Sequence, residues 1–297
     1  MKNVRVIAGP TASGKSGFAL AEAQQHNGVI INADSLQLYE DLPILTARPT
    51  AEEEALVPHR LYGFLGPEEN MNAQSWAEAA MAEINGALAA GNTPYLVGGT
   101  GFYLKTLFEG LSPIPAIPDE VRSEVTTLYE KNGLSWCYEE LERVDPRRAE
   151  MLAPPDKQRI LRSLEVFYAT GKPFSHFTSL PKERLYQGLH FDVTIIAPSV
   201  EILYANCDKR FLHMIDIGGW DEATELYGRI MNGEISLEAP ITRALGYEEI
   251  HLCLEGILSQ EGAISRAQQK TRNYAKRQNT WLRNQMKSCE NISVTLK

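Results

Sequence analysis

The sequence predicts an α/β protein: a parallel sheet with helices between its strands, interrupted by a helical insertion. Three observations carry this. Short β-branched apolar runs alternate with helical patterns over the first third of the chain. The composition then changes at a proline-rich segment, LSPIPAIPDE at 111–120, and stays helical and charged to about Gly171. After a second linker, PKERLYQG at 181–188, the β pattern resumes in FDVTIIAPS at 191–199. Short strands alternating with helices need crossover connections, hence parallel pairing. The expected organisation is therefore 1–116 as the first part of the core, 117–187 as a helical insertion domain, and 188–297 as the second part of the core.

In order, VRVIA (Val4–Ala8) reads as the first strand and GFALAEAQQ as the helix that follows it. Between them lies GPTASGKS, with Gly9, Gly14, Lys15 and Ser16 at the spacing of a P-loop. Strand–loop–helix context is what gives that pattern meaning. Glycines let the backbone curl round a phosphate, and successive N–H groups at a helix start point at the anion. Lys15 adds a mobile positive charge, and the Ser16 hydroxyl is placed for a Mg²⁺ held by phosphate oxygens. A bare glycine-rich turn is the alternative. The expected core is thus a P-loop NTPase-like parallel sheet.

GVIINADS at 28–35 reads as a second strand, ending at Asp34 and Ser35. A polar segment with Pro43, Pro49 and Pro58 reads as loop. Residues 72–91 read as a helix that Ser75 can cap and Gly91 stops. Tyr95–Val97 is a third buried strand, Gly98-Gly99-Thr100-Gly101 a sharp turn, and Phe102–Glu109 a helix. Ligands in such sheets sit beyond the carboxyl ends of the strands. Gly9–Ser16, Asp34–Gln37 and Gly98–Thr100 all lie at such ends, so they are expected to meet in one crevice. Helices follow the strand at 191–199, a long one spans 262–289, and SVTL reads as a last strand.

The chain has 297 residues, 43% apolar and 23% charged, with a net charge of −9. That is ordinary for a globular protein, and taken alone it speaks against a general nucleic-acid binder. No apolar run approaches the roughly 18 residues of a membrane span, and no signal peptide is visible. Cys137, Cys207, Cys253 and Cys289 form no CxxC pair, which fits reduced thiols in a cytoplasmic protein.

Charge distribution is more telling. Arg266, Lys270, Arg272, Lys276, Arg277, Arg283 and Lys287 fall between Gly262 and Cys289 with no Asp or Glu, and Tyr274 and Trp281 are interleaved. The stripe suits a phosphate backbone or, more blandly, a solvated face. Lys157, Arg159 and Arg162 form a second group, with Arg159 and Arg162 on one helical face; with Gln158 it reads phosphates and base edges, or pairs with Asp156 and Glu165. Asp34 is a general base, a holder of a Mg²⁺-bound water, or a helix N-cap. Thr100 donates to a phosphate or caps the next helix. Arg210 can point into the crevice towards a second phosphate. His59 reads as structural.

Together these segments resemble the tRNA dimethylallyltransferases (tRNA isopentenyltransferases) of bacterial type. The resemblance runs through GPTASGKS, INADSLQLY (31–39), TARP (46–49), PHRL (58–61) and PYLVGGTGFYLKTL (94–107). It continues through DPRRAEML (145–152), DKQRILRSLEVFYATGKP (156–173), KRFLHM (209–214), ALGYEE (244–249) and AKRQNTWLR (275–283). It implies a P-loop core with a helical insertion, and transfer of a dimethylallyl group from dimethylallyl diphosphate to N6 of adenosine 37 in tRNAs with A36-A37-A38. Gly9, Pro10, Thr11, Ala12, Ser13, Gly14, Lys15 and Ser16 would hold the diphosphate, with Mg²⁺ at Ser16. Asp34 would be the base, and Thr100 and Arg210 would act with it on the leaving group. Asp34, Ser35, Leu36, Gln37, Thr100, Arg122, Gln158, Arg159, Ile160, Leu161 and Arg162 would contact tRNA. The implied partners are the tRNA anticodon stem-loop and dimethylallyl diphosphate, with no membrane and a monomeric protein. Arg48 stands where many members have Lys, which puts a phosphate contact in question. Two other readings share parts of this pattern: a P-loop kinase or a prenyltransferase acting on free AMP or ATP, and a non-catalytic RNA-binding protein.

Overall fold

The computed structural model describes residues 2–286 and 292–297; Lys287 and Cys289 lie outside these. The strands are β1 (Lys2–Ala8), β2 (Gly28–Asn32), β3 (His59–Arg60), β4 (Thr93–Gly98), β5 (Leu189–Ile195) and β6 (Ile292–Leu296). They form one sheet in the order β3-β2-β4-β1-β5-β6, and every pairing is parallel. The helices of the first half are α1 (Lys15–Gln25), α2 (Ala51–Leu56), α3 (Ala73–Ala89) and α4 (Gly101–Glu109). The insertion carries α5 (Asp119–Val144), α6 (Pro146–Ala149), α7 (Lys157–Thr170) and α8 (Phe174–Thr178). The rest are α9 (Val200–Met214), α10 (Trp220–Met231), α11 (Tyr247–Leu254) and α12 (Gln260–Gln285).

The central strands are apolar along their length because helices cover both faces of a parallel sheet. β2 is buried throughout, and Val4, Val6, Ala8, Ile31 and Leu96 are fully enclosed. On one face Trp76 of α3 stacks on Tyr103 of α4, with ring centroids 4.7 Å apart. Phe108 meets Phe191 of β5 at 4.9 Å.

Local details differ from expectation in three places. Asn72, not Ser75, caps α3: its side chain accepts from the N–H groups of Gln74 and Ser75 at 2.9 Å each. The segment around Pro43–Pro58 is not all loop. Thr50 and Glu53 close a reciprocal capping box that starts α2, a local device strong enough to nucleate one short turn of helix. His59–Arg60 then adds an edge strand beside β2. Finally, α5 is broken at Gly133, whose φ of 80° suits glycine.

Contacts divide the chain into two compact units, residues 1–108 with 185–297, and Glu109–Arg184. The proline-rich segment packs with the second unit. Leu111 bridges Glu183, and Ile117 sits in a small apolar cluster with Val166 and Phe177. A larger cluster in that unit joins Val125, Leu141, Ile160 and Leu164. No helix among the described residues is long and apolar enough to cross a membrane.

Candidate active site

β1 ends at Ala8, and the chain turns at once into the phosphate loop. The turn is tight: a Cβ on Gly9 would lie 2.6 Å from Ser13 Oγ and 2.8 Å from the Ile196 carbonyl. Ala12 and Gly14 adopt positive φ, 61° and 87°, before α1 begins at Lys15. The first N–H groups of a helix have no carbonyl behind them and are left for an anion. Asn206 of α9 braces the loop through its side-chain amide on the Ala12 carbonyl at 3.2 Å. Lys15 is buried and its Nζ lies 3.4 Å from the Pro10 carbonyl. Burial lowers its pKa to about 8, against the pull of Asp34.

β2 and β4 deliver the other two loops. A Cβ on Gly98 would fall 2.1 Å from the Ala33 carbonyl, so β4 approaches the end of β2 only as glycine. The Thr100 hydroxyl accepts the Ser35 N–H at 3.0 Å and lies 3.4 Å from Ser35 Oγ. Asp34 precedes a turn and caps no helix; its Oδ1 accepts the Leu36 N–H at 3.2 Å. Asn32, not singled out from the sequence, is fully buried and organises this turn. Its Oδ1 accepts the Asp34 N–H at 2.7 Å, and its Nδ2 donates to the carbonyls of Asp34 and Leu61 at 3.0 and 2.9 Å.

These loops meet Arg210 of α9. Its guanidinium donates to the Thr11 hydroxyl, while its Nε is enclosed and has no protein partner. Burial lowers its pKa, with Asp34 acting in the opposite sense. An enclosed, unpaired donor on a cation is costly to leave so and is suited to an anionic ligand. Thr11, Asp34 and Arg210 line a chamber of about 40 Å³ together with apolar Leu36, Leu45, Phe211 and Met214 and with Thr271 and Tyr274 of α12. A larger cleft of about 910 Å³ opens beside it, along Ser13–Ser16, Pro43, Ile44 and His213. The three segments expected at the strand ends do meet: the Gly9 N–H donates to the Gly98 carbonyl at 3.3 Å and Thr100 holds Ser35, while the P-loop with Asp34 and Leu36, rather than Gly98–Thr100, lines these spaces.

Some expected contacts take a different form. The Gln37 side chain donates to the carbonyls of Thr46 and Ala47, both at 2.8 Å. Arg48 turns to the carbonyls of Tyr39 and Glu40, at 3.1 and 3.0 Å. His59 donates from Nδ1 to the Val57 carbonyl, 2.8 Å away. Among the described residues no group of three or more His, Cys, Asp or Glu is placed to hold a metal.

The basic stripe on α12 is less exposed in charge than its sequence implies. Arg266 lies 3.3 Å and Lys270 2.6 Å from Glu248 of α11, and Arg272 pairs with Asp208 of α9. These acids come from other helices, so a window along α12 does not see them. Among the described residues no carboxylate pairs with Lys276, Arg277 or Arg283, which are exposed. In the second unit, Arg159 and Arg162 do pair with Asp156 and Glu165, at 3.4 and 2.9 Å, and Arg122 with Asp119 at 3.3 Å. Gln158 is exposed; Ile160 is fully buried and Leu161 half-buried, so these two serve the core of α7.

Comparison with known proteins decides the family. The family model described as IPP transferase matches residues 37–285. The chain belongs to the IPP transferase family. A second model, isopentenyl transferase, matches residues 2–65. A tRNA dimethylallyltransferase of Rhodospirillum centenum is 44% identical over 95% of this chain and 89% of its own. Another, from Zymomonas mobilis subsp. mobilis, is 43% identical over 95% and 88%. Among solved structures, a eukaryotic dimethylallyltransferase acting on tRNA superposes with a TM-score of 0.85 at 28% identity, covering 100% of this chain and 74% of that one. The tRNA isopentenylpyrophosphate transferase of Bacillus halodurans gives 0.67 at 30%, covering 100% and 90%. The P-loop NTPase-like architecture of this IPP transferase is thus shared with structures of tRNA prenyltransferases.

Proposed function

We propose that this protein transfers a dimethylallyl group from dimethylallyl diphosphate to N6 of adenosine 37, in tRNAs carrying A36-A37-A38 and reading codons that begin with U. The products are N6-dimethylallyladenosine and diphosphate. The observation that carries the reading is the small chamber, where the Asp34 carboxylate and the phosphate-side groups Thr11 and Arg210 share one half-apolar space. Family membership and the names of the relatives support it.

The N6 lone pair is delocalised into the adenine ring, so the amine needs its proton removed as it attacks. N6 bonds to C1 of the dimethylallyl group, the C1–O bond breaks, and its electron pair leaves on the diphosphate. Asp34 takes the N6 proton. Charge builds on the leaving oxygens, where Lys15, Arg210 and the N–H groups opening α1 stabilise it. Thr100 stands at the β4 end of the site with a hydroxyl that can turn to the bridging oxygen. The residues fit a Mg²⁺ ion held mainly by diphosphate oxygens: Ser16 is exposed beside the cleft and is the hydroxyl of the loop sequence placed to complete such a sphere. When bound, the ion supplies further neutralisation of the leaving group. The base must leave its stack to reach Asp34; Leu36 lines the chamber beside it, and Ser35 and Gln37 on the same turn are the neighbours offered to the base. Gln158, Arg159, Arg162 and Arg122, with exposed Lys276, Arg277 and Arg283, are the groups offered to the RNA backbone.

Transfer of labelled dimethylallyl to an anticodon stem-loop tests the reading, with free AMP and ATP in parallel. Label on the stem-loop, abolished by replacing A37, is expected. Label on AMP or ATP alone, or ATP turnover without transfer, overturns it.

A further inference from the structure

We infer that Gln278 is a positioning residue for this site: one buried side-chain amide sets the phosphate loop against the Gly98–Thr100 turn and takes the Thr11 N–H out of the anion cradle. The inference rests on the transfer reading for its meaning and on geometry for its content. Gln278 lies on α12, 6% exposed. Its Oε1 accepts the Thr11 N–H at 2.8 Å, and its Nε2 donates to the Gly99 carbonyl at 3.0 Å. The two partners fix which end of the amide is which. The reverse orientation would set the NH₂ group against an N–H and the oxygen against a carbonyl.

The surrounding residues are shaped to this contact. A Cβ at Gly99 would lie 2.4 Å from Gln278 Nε2, so the close approach needs glycine there. Gly101 allows Trp281, one turn further along α12, to pack on the start of α4, where a Cβ would lie 2.0 Å from the indole. Ala275 and Leu282, on the same face as Gln278, are fully buried and hold the helix in register.

The consequence is chemical. A P-loop binds through N–H groups that point at one phosphate position. The Ser13 N–H is taken by the Pro10 carbonyl at 3.2 Å, and the Thr11 N–H by Gln278. What remains for the diphosphate is the segment leading into α1. Gln278 thus sets both where the diphosphate sits and how far it lies from Thr100, the hydroxyl next to Gly99.

Gln278→Glu separates the two halves of this amide. An ionised carboxylate still accepts from Thr11 but has no hydrogen for Gly99; protonated, it regains an O–H donor, and burial raises its pKa. The ratio of variant to wild-type kcat/KM is therefore expected to fall on the order of tenfold or more near pH 8, through one missing donor to a buried carbonyl, and to climb towards wild type as the pH is lowered to about 5.5. Lys15, Asp34, Cys207, Arg210 and Tyr274, the titratable groups around the loop, are common to both proteins, so the ratio removes their titration. Gln278→Leu has neither bond and is expected to stay low at every pH; it should melt some degrees lower, because the Thr11 N–H and the Gly99 carbonyl lose their partner, yet bind the stem-loop as wild type does at temperatures where it is folded. A ratio independent of pH, or wild-type turnover by the Leu variant, overturns the inference. If the wild type transfers nothing, the transfer reading fails instead. The same ratio is then read from inorganic pyrophosphate affinity by calorimetry, where a flat profile again overturns the role of Gln278.

Discussion

At the scale of single residues, the site depends on charged groups held where water cannot relax them. Lys15 shows the effect most clearly. With its pKa lowered to about 8 by burial, the free protein loses this proton above that pH, while a bound diphosphate favours the charged form. Diphosphate binding above about pH 8 must therefore be accompanied by proton uptake, and affinity should weaken as pH rises through that value. Calorimetry in buffers of different ionisation enthalpy measures the uptake directly, and Lys15→Met should abolish both the uptake and most of the affinity. Asp34 makes a separable prediction. Asp34→Asn keeps an oxygen for the Leu36 N–H, so the turn survives, but the substituted amide cannot take a proton. Transfer should fall by about 10²-fold or more with stem-loop affinity unchanged. Equal transfer by variant and wild type would remove Asp34 as the base. The strand-end position of Asp34 was legible in the sequence because the residue sits three places past the apolar run Val29–Ile31. Asn32, which holds that turn, was not, since nothing in a strand-like GVIIN marks one polar side chain as the organiser of the next loop.

Elements set the size and stiffness of the chamber. Along α9, Cys207, Arg210, Phe211 and Met214 share one face. The Phe211 ring closes the apolar side and fits there only because position 246 is glycine; a Cβ would lie 2.4 Å from the ring. The chamber is small, about 40 Å³, so the ring at 211 limits what can enter it. Phe211→Ala should admit a ten-carbon donor that wild type rejects, measured as transfer from geranyl diphosphate. The loop opposite is pinned from α10: both carboxylate oxygens of Glu222 accept backbone N–H groups, from Ile44 at 3.0 Å and Leu45 at 2.5 Å. Glu222→Ala leaves both donors unpaired, costing about 2 kcal/mol or more, which thermal melting should show as a fall of several degrees alongside faster proteolysis in the 42–48 loop. Helices α9 and α12 were visible as helical patterns, but their facing sides were not. The acid-free run of α12 looked uniformly basic, whereas Arg266, Lys270 and Arg272 are matched by Glu248 and Asp208 from two other helices.

At the scale of the whole molecule, the chain is two units, one holding the P-loop, Asp34 and Arg210 and one holding Arg122 and the Gln158–Arg162 group. Charge reversal at Arg159 and Arg162 should weaken stem-loop binding and flatten its salt dependence, by about 0.7 in log–log slope for each single-stranded phosphate no longer neutralised. Diphosphate affinity should not change. A fall in both affinities together would mean misfolding. The P-loop and the strand ends were readable along the chain, because each depends on residues that are neighbours in sequence: a glycine spacing, an apolar run. The proline-rich segment signalled a change of unit but not its edge, since it packs with Glu109–Arg184 rather than with the core. Pairings between distant segments were not. Gln278 meets Thr11 across 267 positions and Arg210 meets it across 199, and neither pairing leaves any period or composition behind. Local backbone preference and burial pattern are properties of a short window; which buried amide faces which loop is set only when the helices pack onto the sheet.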